Sequence, residues 1–299
     1  MKDESNPHEE NTITRTHKTV GLLICLAVFV GSLLSVTSPG LGECAELPLW
    51  EAGAGLSLLN IPDYRGSDEQ RFYVFPIPYL IYRGEALRID GQRVRELLFQ
   101  SEAIQLDLSL NASVPVNSSG NKARQGMPDL DPTVEIGPSL EILLARNREG
   151  DWKVTVTMPV RAVFAVNLSR IREVGWISNP RINIDFFDVG PGKLDVGLGV
   201  GPVFADRLYH RYFYGVEPAD ALTDRPAFSA SGGYSGTQIA LSATRRFAKI
   251  WLGAFIRADV LHNVEFSKSP LLKTRESVMG GIALSWIFAQ SHTLVKVDE

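Results

Sequence analysis

From residue 46 to residue 288 apolar and polar side chains alternate with a period of two, and no other feature of the chain limits its fold as strongly. In "AIQLDLSL", Ile104, Leu106, Leu108 and Leu110 fall on one side, and Gln105, Asp107 and Ser109 on the other, because successive strand side chains point to opposite faces. "KLDVGLGVG" repeats the pattern with Leu194, Val196, Leu198 and Val200 against Asp195 and glycines. "GGIALSWIF" closes the series with Ile282, Leu284, Trp286 and Phe288 on one side. A helix would need a period of 3.6 residues, and no segment here has the length and apolarity of a membrane-spanning helix.

The alternation predicts strands at 49–59, 72–82, 85–91, 94–99, 102–110, 133–147, 150–168, 174–188, 192–206, 236–247, 250–263 and 277–288. Tight turns join several of them: "DG" at 90–91, "NREG" at 147–150, "GPG" at 190–192 and "AK" at 248–249. Longer connectors cover 60–71, 111–132, 207–235 and 264–276. With the first strand starting in the periplasm, all four long connectors fall on one side, while "NREG", "GPG" and "AK" fall on the other. That asymmetry marks an outer-membrane barrel. The expected fold is therefore all-β: a closed antiparallel transmembrane β-barrel of twelve strands, or of ten if 72–91 and 93–110 each form one long strand.

Glu51, Gln105, Asp107, Glu135, Lys153, Arg181, Asp185, Asp195, Arg257 and Asp259 are expected to face inward as an ion-pair network of mixed sign. A ring of this size is close to what side chains can fill, so the lumen is expected to be narrow or plugged.

Residues 1–45 read as a signal peptide with an extended n-region: a polar leader with Lys2, Arg15 and Lys18, then "VGLLICLAVFVGSLLSV", then small residues. Cleavage is expected near Gly42 to Ala45. An uncleaved anchor is the rival reading. Cys25 and Cys44 both lie in the leader, so the exported part is expected to have no internal disulfide. With the leader's charges set aside, acidic and basic residues nearly balance, which excludes the basic surface that a nucleic-acid partner requires. The barrel is assigned to 46–288 and a periplasmic C-terminal tail to 289–299.

Several separate stretches, in order, carry a family resemblance. They are Pro62, Asp63, Tyr64, Arg65, Gly66 and Ser67; Phe75 to Tyr79 with Pro76 and Pro78; Tyr82 and Arg83; and Arg124, Gly126 and Met127. Further along come "YFYGVEPADA" with Tyr214 and Gly215, "SASGGY" with Gly232 and Gly233, "SKSPLL" with Ser269 and Pro270, and the closing strand with Trp286 and Phe288. In these the chain resembles the MltA-interacting protein / OmpV family of Gram-negative outer-membrane proteins. The resemblance implies a non-enzymatic outer-membrane barrel without cofactor or metal. It also implies contact with outer-membrane lipids and lipopolysaccharide, and a scaffold role between a lytic transglycosylase and a penicillin-binding protein. A narrow solute channel or surface adhesin is the alternative.

The aromatics of 72–82 suit a girdle at the membrane interface, and Pro76 and Pro78, which cannot donate to a ladder, suggest a bulge or irregular edge. Asp63, Arg65, Asp68 and Glu69 form either a ligand or cation site or a turn that serves only itself. "DRLYHRYFYGVEP" (Arg207, Tyr209, His210, Arg211, Tyr212, Phe213, Tyr214) either docks phosphates or protein, or folds into the mouth as a plug, the reading favoured here. Catalysis has little support: His262 lies near Ser267 and Ser269 in sequence, but no base, nucleophile and orienting group share a motif. No Cys pair or His-x-x-x-His spacing is present, and the glycines of "GLGVGP" lack the helix that phosphate binding needs.

Overall fold

The computed structural model describes residues 46–83, 87–90, 93–101, 103–167 and 169–296; the leader and both cysteines lie outside these. β1 (Glu46–Pro48) precedes β2 (Trp50–Pro62) and β3 (Gln70–Arg83). A short hairpin of β4 (Leu87–Asp90) and β5 (Arg93–Gln100) leads to β6 (Ile104–Ala112), β7 (Thr133–Arg146) and β8 (Trp152–Asn167). There follow β9 (Arg170–Ser178), β10 (Arg181–Val189), β11 (Leu194–Ala205), helix α1 (Arg207–Tyr214), β12 (Gly233–Arg246), β13 (Ile250–Val260), β14 (Glu276–Gln290) and β15 (Leu294–Lys296).

Neighbouring strands pair antiparallel. β14 pairs with β2, and β8 with both β9 and β10, so the pairing followed from strand to strand returns to its start. Counting β9 and β10 as one position, twelve strands make the circuit, in the expected places. The ten-strand alternative does not hold. β4 turns back to pair with β3 (Ile81↔Asp90), and β5 turns back on β6 (Leu97↔Asp107), so neither 72–91 nor 93–110 is a single strand.

The expected strand at 174–188 is split into β9 and β10, and prolines are the reason. Pro159 pairs with Ser139 of β7, and Pro202 with Thr237 of β12. A residue without an N–H cannot take a hydrogen-bonded position of those ladders, so both ring nitrogens face the β9–β10 station. Pro180 sits in that station and also lacks a donor. Three prolines thus meet at one height. Side chains satisfy the carbonyls left over: Ser178 Oγ donates to Pro159 O (2.8 Å) and Asn179 Nδ2 to Pro202 O (2.9 Å).

The outer face carries the expected apolar sets, with Leu56, Leu58, Leu198, Val200, Ile282 and Leu284 all exposed. The inner face carries the expected charges, now with partners. Glu51 binds Arg246 (2.7 Å), Glu135 binds Arg161 (2.8 Å), and Asp259 binds both Arg65 (2.8 Å) and Arg257 (3.2 Å). Lys153 lies over the Phe187 ring (5.1 Å) and Gln105 donates to Asp107 (2.7 Å). Asp195 accepts from the backbone of Asp188, at the β10–β11 turn. Some of these side chains, Arg65, Asp107, Glu135, Arg161 and Arg257 among them, line a cavity of 780 Å³ together with residues of β2, β6 to β14 and the connectors, such as Ser109, Arg181 and Gln238.

Beyond the wall, β1 and β15 form a two-stranded ribbon (Glu46↔Lys296, Leu47↔Val295, Pro48↔Leu294) that prolongs the β2–β14 pairing at the short-turn end. Of the expected tail, 289–290 thus belongs to β14 and 294–296 to the ribbon, while 297–299 lie outside the described residues.

Candidate functional site

The four long connectors do not project separately. They pack over one end of the strand circuit around Tyr64, Val116, Leu130, Tyr214, Leu261, Phe266 and Leu271, all buried. This cap gathers the separate sequence motifs into one structure. The rings of Tyr214 and Phe266 stack at 3.6 Å, and Tyr64 meets Tyr214 edge-on at 6.1 Å. The Tyr64 hydroxyl donates to Leu271 O (2.8 Å) and the Tyr214 hydroxyl to Arg65 O (2.9 Å), across sequence separations of 207 and 149 residues. Burial raises both phenols above their ordinary pKa, so they stay protonated and remain donors.

The run Pro62 to Ser67 is the hinge of this cap. Buried Asp63 accepts from Arg71 Nε (2.7 Å) and Asn121 Nδ2 (2.8 Å); Ser67 Oγ accepts from Asn121 as well (3.1 Å). Arg65 reaches inward to Asp259 and donates to Ser235 O (2.8 Å). Gly66 holds a φ of 89°, and its carbonyl accepts from both Lys273 and Thr274. That backbone conformation requires glycine, and a β-carbon there would also press on the methyl groups of Leu272 and Leu261. Asp63 thus ties its connector to the one that carries Asn121, and Arg65 ties it to the wall strands β12 and β13.

Arg124 donates to Ser118 Oγ and Pro128 O, and Met127 packs on the cap core behind Gly126, whose φ is 83°. Ser269 Oγ donates to Tyr214 O (2.7 Å) and accepts from the Leu271 backbone, with Pro270 half-buried beside it. That places Ser269 as a staple inside a turn. The Gly215 N–H closes α1 on Arg211 O, while Gly232 and Gly233 lead from the cap into β12.

Helix α1 forms the floor of the cap, as the plug reading expected. Asp206 Oδ1 caps it by accepting from Tyr209 N (2.8 Å). Tyr209, Phe213 and Tyr214 line the cavity below. Gly175, with a φ of 123°, makes room for the helix: a β-carbon there would lie 2.2 Å from Asp206 Oδ1.

His210 on this helix is fully buried. Its Nδ1 lies 2.6 Å from Ser231 O, a pure acceptor, so Nδ1 carries the proton; Nε2 has no partner and the ring sits 4.9 Å from Phe266. Burial lowers its pKa, partly offset by the Ser231 carbonyl. A freed cap binds the proton with the ordinary pKa of about 6.5 and the closed cap does not, so this part of the stability is full above that pH and is lost below it. The protection of residues 206–232 against hydrogen exchange, measured relative to the intrinsic rate at each pH, is expected to fall between pH 7.5 and pH 5, and His210→Leu to remove most of that fall.

The aromatic stretch departs from the girdle expectation. β3 is regular along β2, without a bulge, and its alternation points Tyr73, Phe75, Ile77 and Tyr79 inward. Tyr79 is 3% exposed, 3.4 Å from Glu51 and 6.0 Å from the Trp251 ring. Inward aromatics satisfy the packing of a plugged interior, so the girdle lies elsewhere. Trp50, Trp286 and Phe288 are exposed near the short-turn end, and Phe72, Trp176 and Phe204 near the cap. Tyr82 faces outward opposite Trp50, and Arg83 pairs through its backbone with Arg88 of β4.

Sequence reading missed Asn121 and Arg225. Arg225 is 6% exposed and donates to the carbonyls of Ala123, Gln125 and Asp220, tying two connectors together. No local pattern marks such residues, because Asn121 meets the side chains of Asp63 and Ser67 and Arg225 the carbonyls of Ala123 and Gln125, all far away in the chain.

The family described as MltA-interacting protein MipA matches residues 54–288. Among curated proteins none matches the chain. Of solved structures, it is similar to the COG4313 outer membrane channel from Pseudomonas putida F1 (12% identity, 84% of this chain and 100% of that chain, TM-score 0.42). It is also similar to outer membrane phospholipase A from Escherichia coli (10%, 86% and 96%, 0.33) and to a Pseudomonas aeruginosa FadL homologue (10%, 71% and 60%, 0.27).

Proposed function

The chain belongs to the MltA-interacting protein MipA family, and from that premise we propose that it is a closed outer-membrane β-barrel, exported by its leader, that serves as a non-enzymatic docking scaffold for cell-wall enzymes. The membrane placement is supported by the outward apolar faces, the aromatics at both ends, and strands such as β2 and β8 at 13 and 16 residues. A tilted strand needs about 9–11 residues to cross. A water-soluble surface rarely leaves so much contiguous apolar area bare.

The observation that carries the scaffold reading is the cap. Its polar motif residues bind one another, and its aromatic core lies across the cell-exterior end of the cavity. The motifs therefore build a lid, and the surface left for partners is the periplasmic one: the tight turns and the β1–β15 ribbon. A lytic transglycosylase is the first partner to test, as the family's name points to one, with a penicillin-binding protein as the second.

The full chain, solubilised in detergent, is expected to retain a lytic transglycosylase on an affinity column. Val295→Pro removes a donor from the ribbon and is expected to abolish retention while leaving the heat-dependent gel shift of the barrel intact. Ion conductance in planar bilayers with no retention of either enzyme overturns the scaffold in favour of a channel.

A further inference from the structure

The strand circuit has a thin place. Among the described residues, β3 from Gln70 to Leu80 pairs on one side only, with β2; its ladder to β4 is confined to Ile81–Arg83. Facing it, β6 from Leu108 to Ala112 pairs with β7 alone, its ladder to β5 ending at Asp107. The short β4–β5 hairpin borders this slot toward the short-turn end. Toward the cap it is bordered by the hydrogen bond from Arg71 to Gly120 O (3.0 Å).

Chemistry keeps the slot open. Pro76 and Pro78 pair with Leu56 and Ala54 of β2. Lacking N–H groups, they cannot hold hydrogen-bonded positions in that ladder, so both ring nitrogens face the slot. An edge with two donors missing at alternate positions refuses a further strand, whether from this chain or from a partner.

Two more observations say what the slot admits. Consecutive residues of β6, from Asp107 to Ala112, line the internal cavity. Alternate residues of a strand belong to opposite faces, so a cavity lined by consecutive ones reaches the strand's free edge. The inner face of β3 beside the slot is apolar, with Tyr73 and Phe75 stacked at 5.5 Å and Ile77 next in line, whereas charged side chains such as Glu135, Arg161 and Arg257 enter the cavity farther round.

We infer that the slot between β3 and β6 is a lateral port through which an acyl chain of a membrane amphiphile leaves the bilayer and lies against the aromatic inner face of β3. The outer approach is apolar too, through Phe72 and Val74 on β3 and Leu110 on β6, all exposed. The inference rests on the membrane placement proposed above.

The test uses the full chain with Cys25 and Cys44 changed to serine, carrying one bimane-labelled cysteine, in vesicles of phosphatidylcholine brominated on its acyl chains. Three positions are compared: Val74→Cys on the outer face, Phe75→Cys on the inner face at the slot, and Ala240→Cys, which lines the cavity on fully paired β12. Each variant is first checked for the gel shift of a folded barrel. Bromine quenching at residue 75 comparable to that at residue 74, with residue 240 unquenched, is expected. Quenching at residue 74 alone overturns the port and leaves the membrane placement standing. No quenching at residue 74 overturns the placement itself.

Discussion

Arg65→Met is expected to lower the unfolding free energy by about 3 kcal/mol, the lower end of the range for removing one partner of a buried ion pair. Arg65 is 12% exposed and Asp259 only 2%, so water cannot replace the lost charge. The estimate sits at the low end because Arg257 and Gln238 still reach Asp259, at 3.2 Å each. Methionine keeps the apolar stem and so separates charge from packing. Urea unfolding in vesicles, followed by the gel shift, reads the loss. Adding Asp259→Asn removes the stranded carboxylate and should restore part of it. If Arg65→Met changes stability by less than about 0.5 kcal/mol, the cap is not anchored to the wall through this pair.

The second large effect concerns the outer face. Leu284 is 53% exposed near the middle of β14, between Leu252 of β13 and Leu56 of β2. Leu284→Arg is expected to cost about 2–4 kcal/mol, because the charge must sit in hydrocarbon. On a surface bathed in water the same change costs within about 0.5 kcal/mol. Leu222, 55% exposed in the cap connector, is the internal control: Leu222→Arg should leave stability unchanged. Equal costs at the two sites would remove the membrane placement.

Much of the wall was legible in the sequence. Alternation located the strands of the circuit but not β1 and β15, the lengths of the connectors sorted the two ends, and Leu198, Val200, Ile282, Leu284, Trp286 and Phe288 face outward as read, while Leu194 is buried. The inward acids were legible as well, but not their partners Arg161, Arg246 and Arg65. Pairing across the circuit depends on registers between strands far apart in the chain. The break between β9 and β10 went unseen for the same reason: Pro180 alone is ambiguous, and only its neighbours Pro159 and Pro202 make the gap compulsory.

The motifs were legible as words, and their meaning was not. Tyr64, Tyr214 and Ser269 lie on three connectors, and nothing local says that their hydrogen bonds close on one another. Likewise the prolines of β3 announced an irregular edge, and what they formed is a regular strand with one unpaired side.

By itself the sequence determined the sheet, its two faces and its two unlike ends, because a period of two is a local property that each strand expresses alone. Only the tertiary structure decided that the connectors fuse into a lid, which arginine meets which acid, and that the aromatics of β3 turn inward. Those outcomes are set by which distant segments share space, and a chain does not write that down locally.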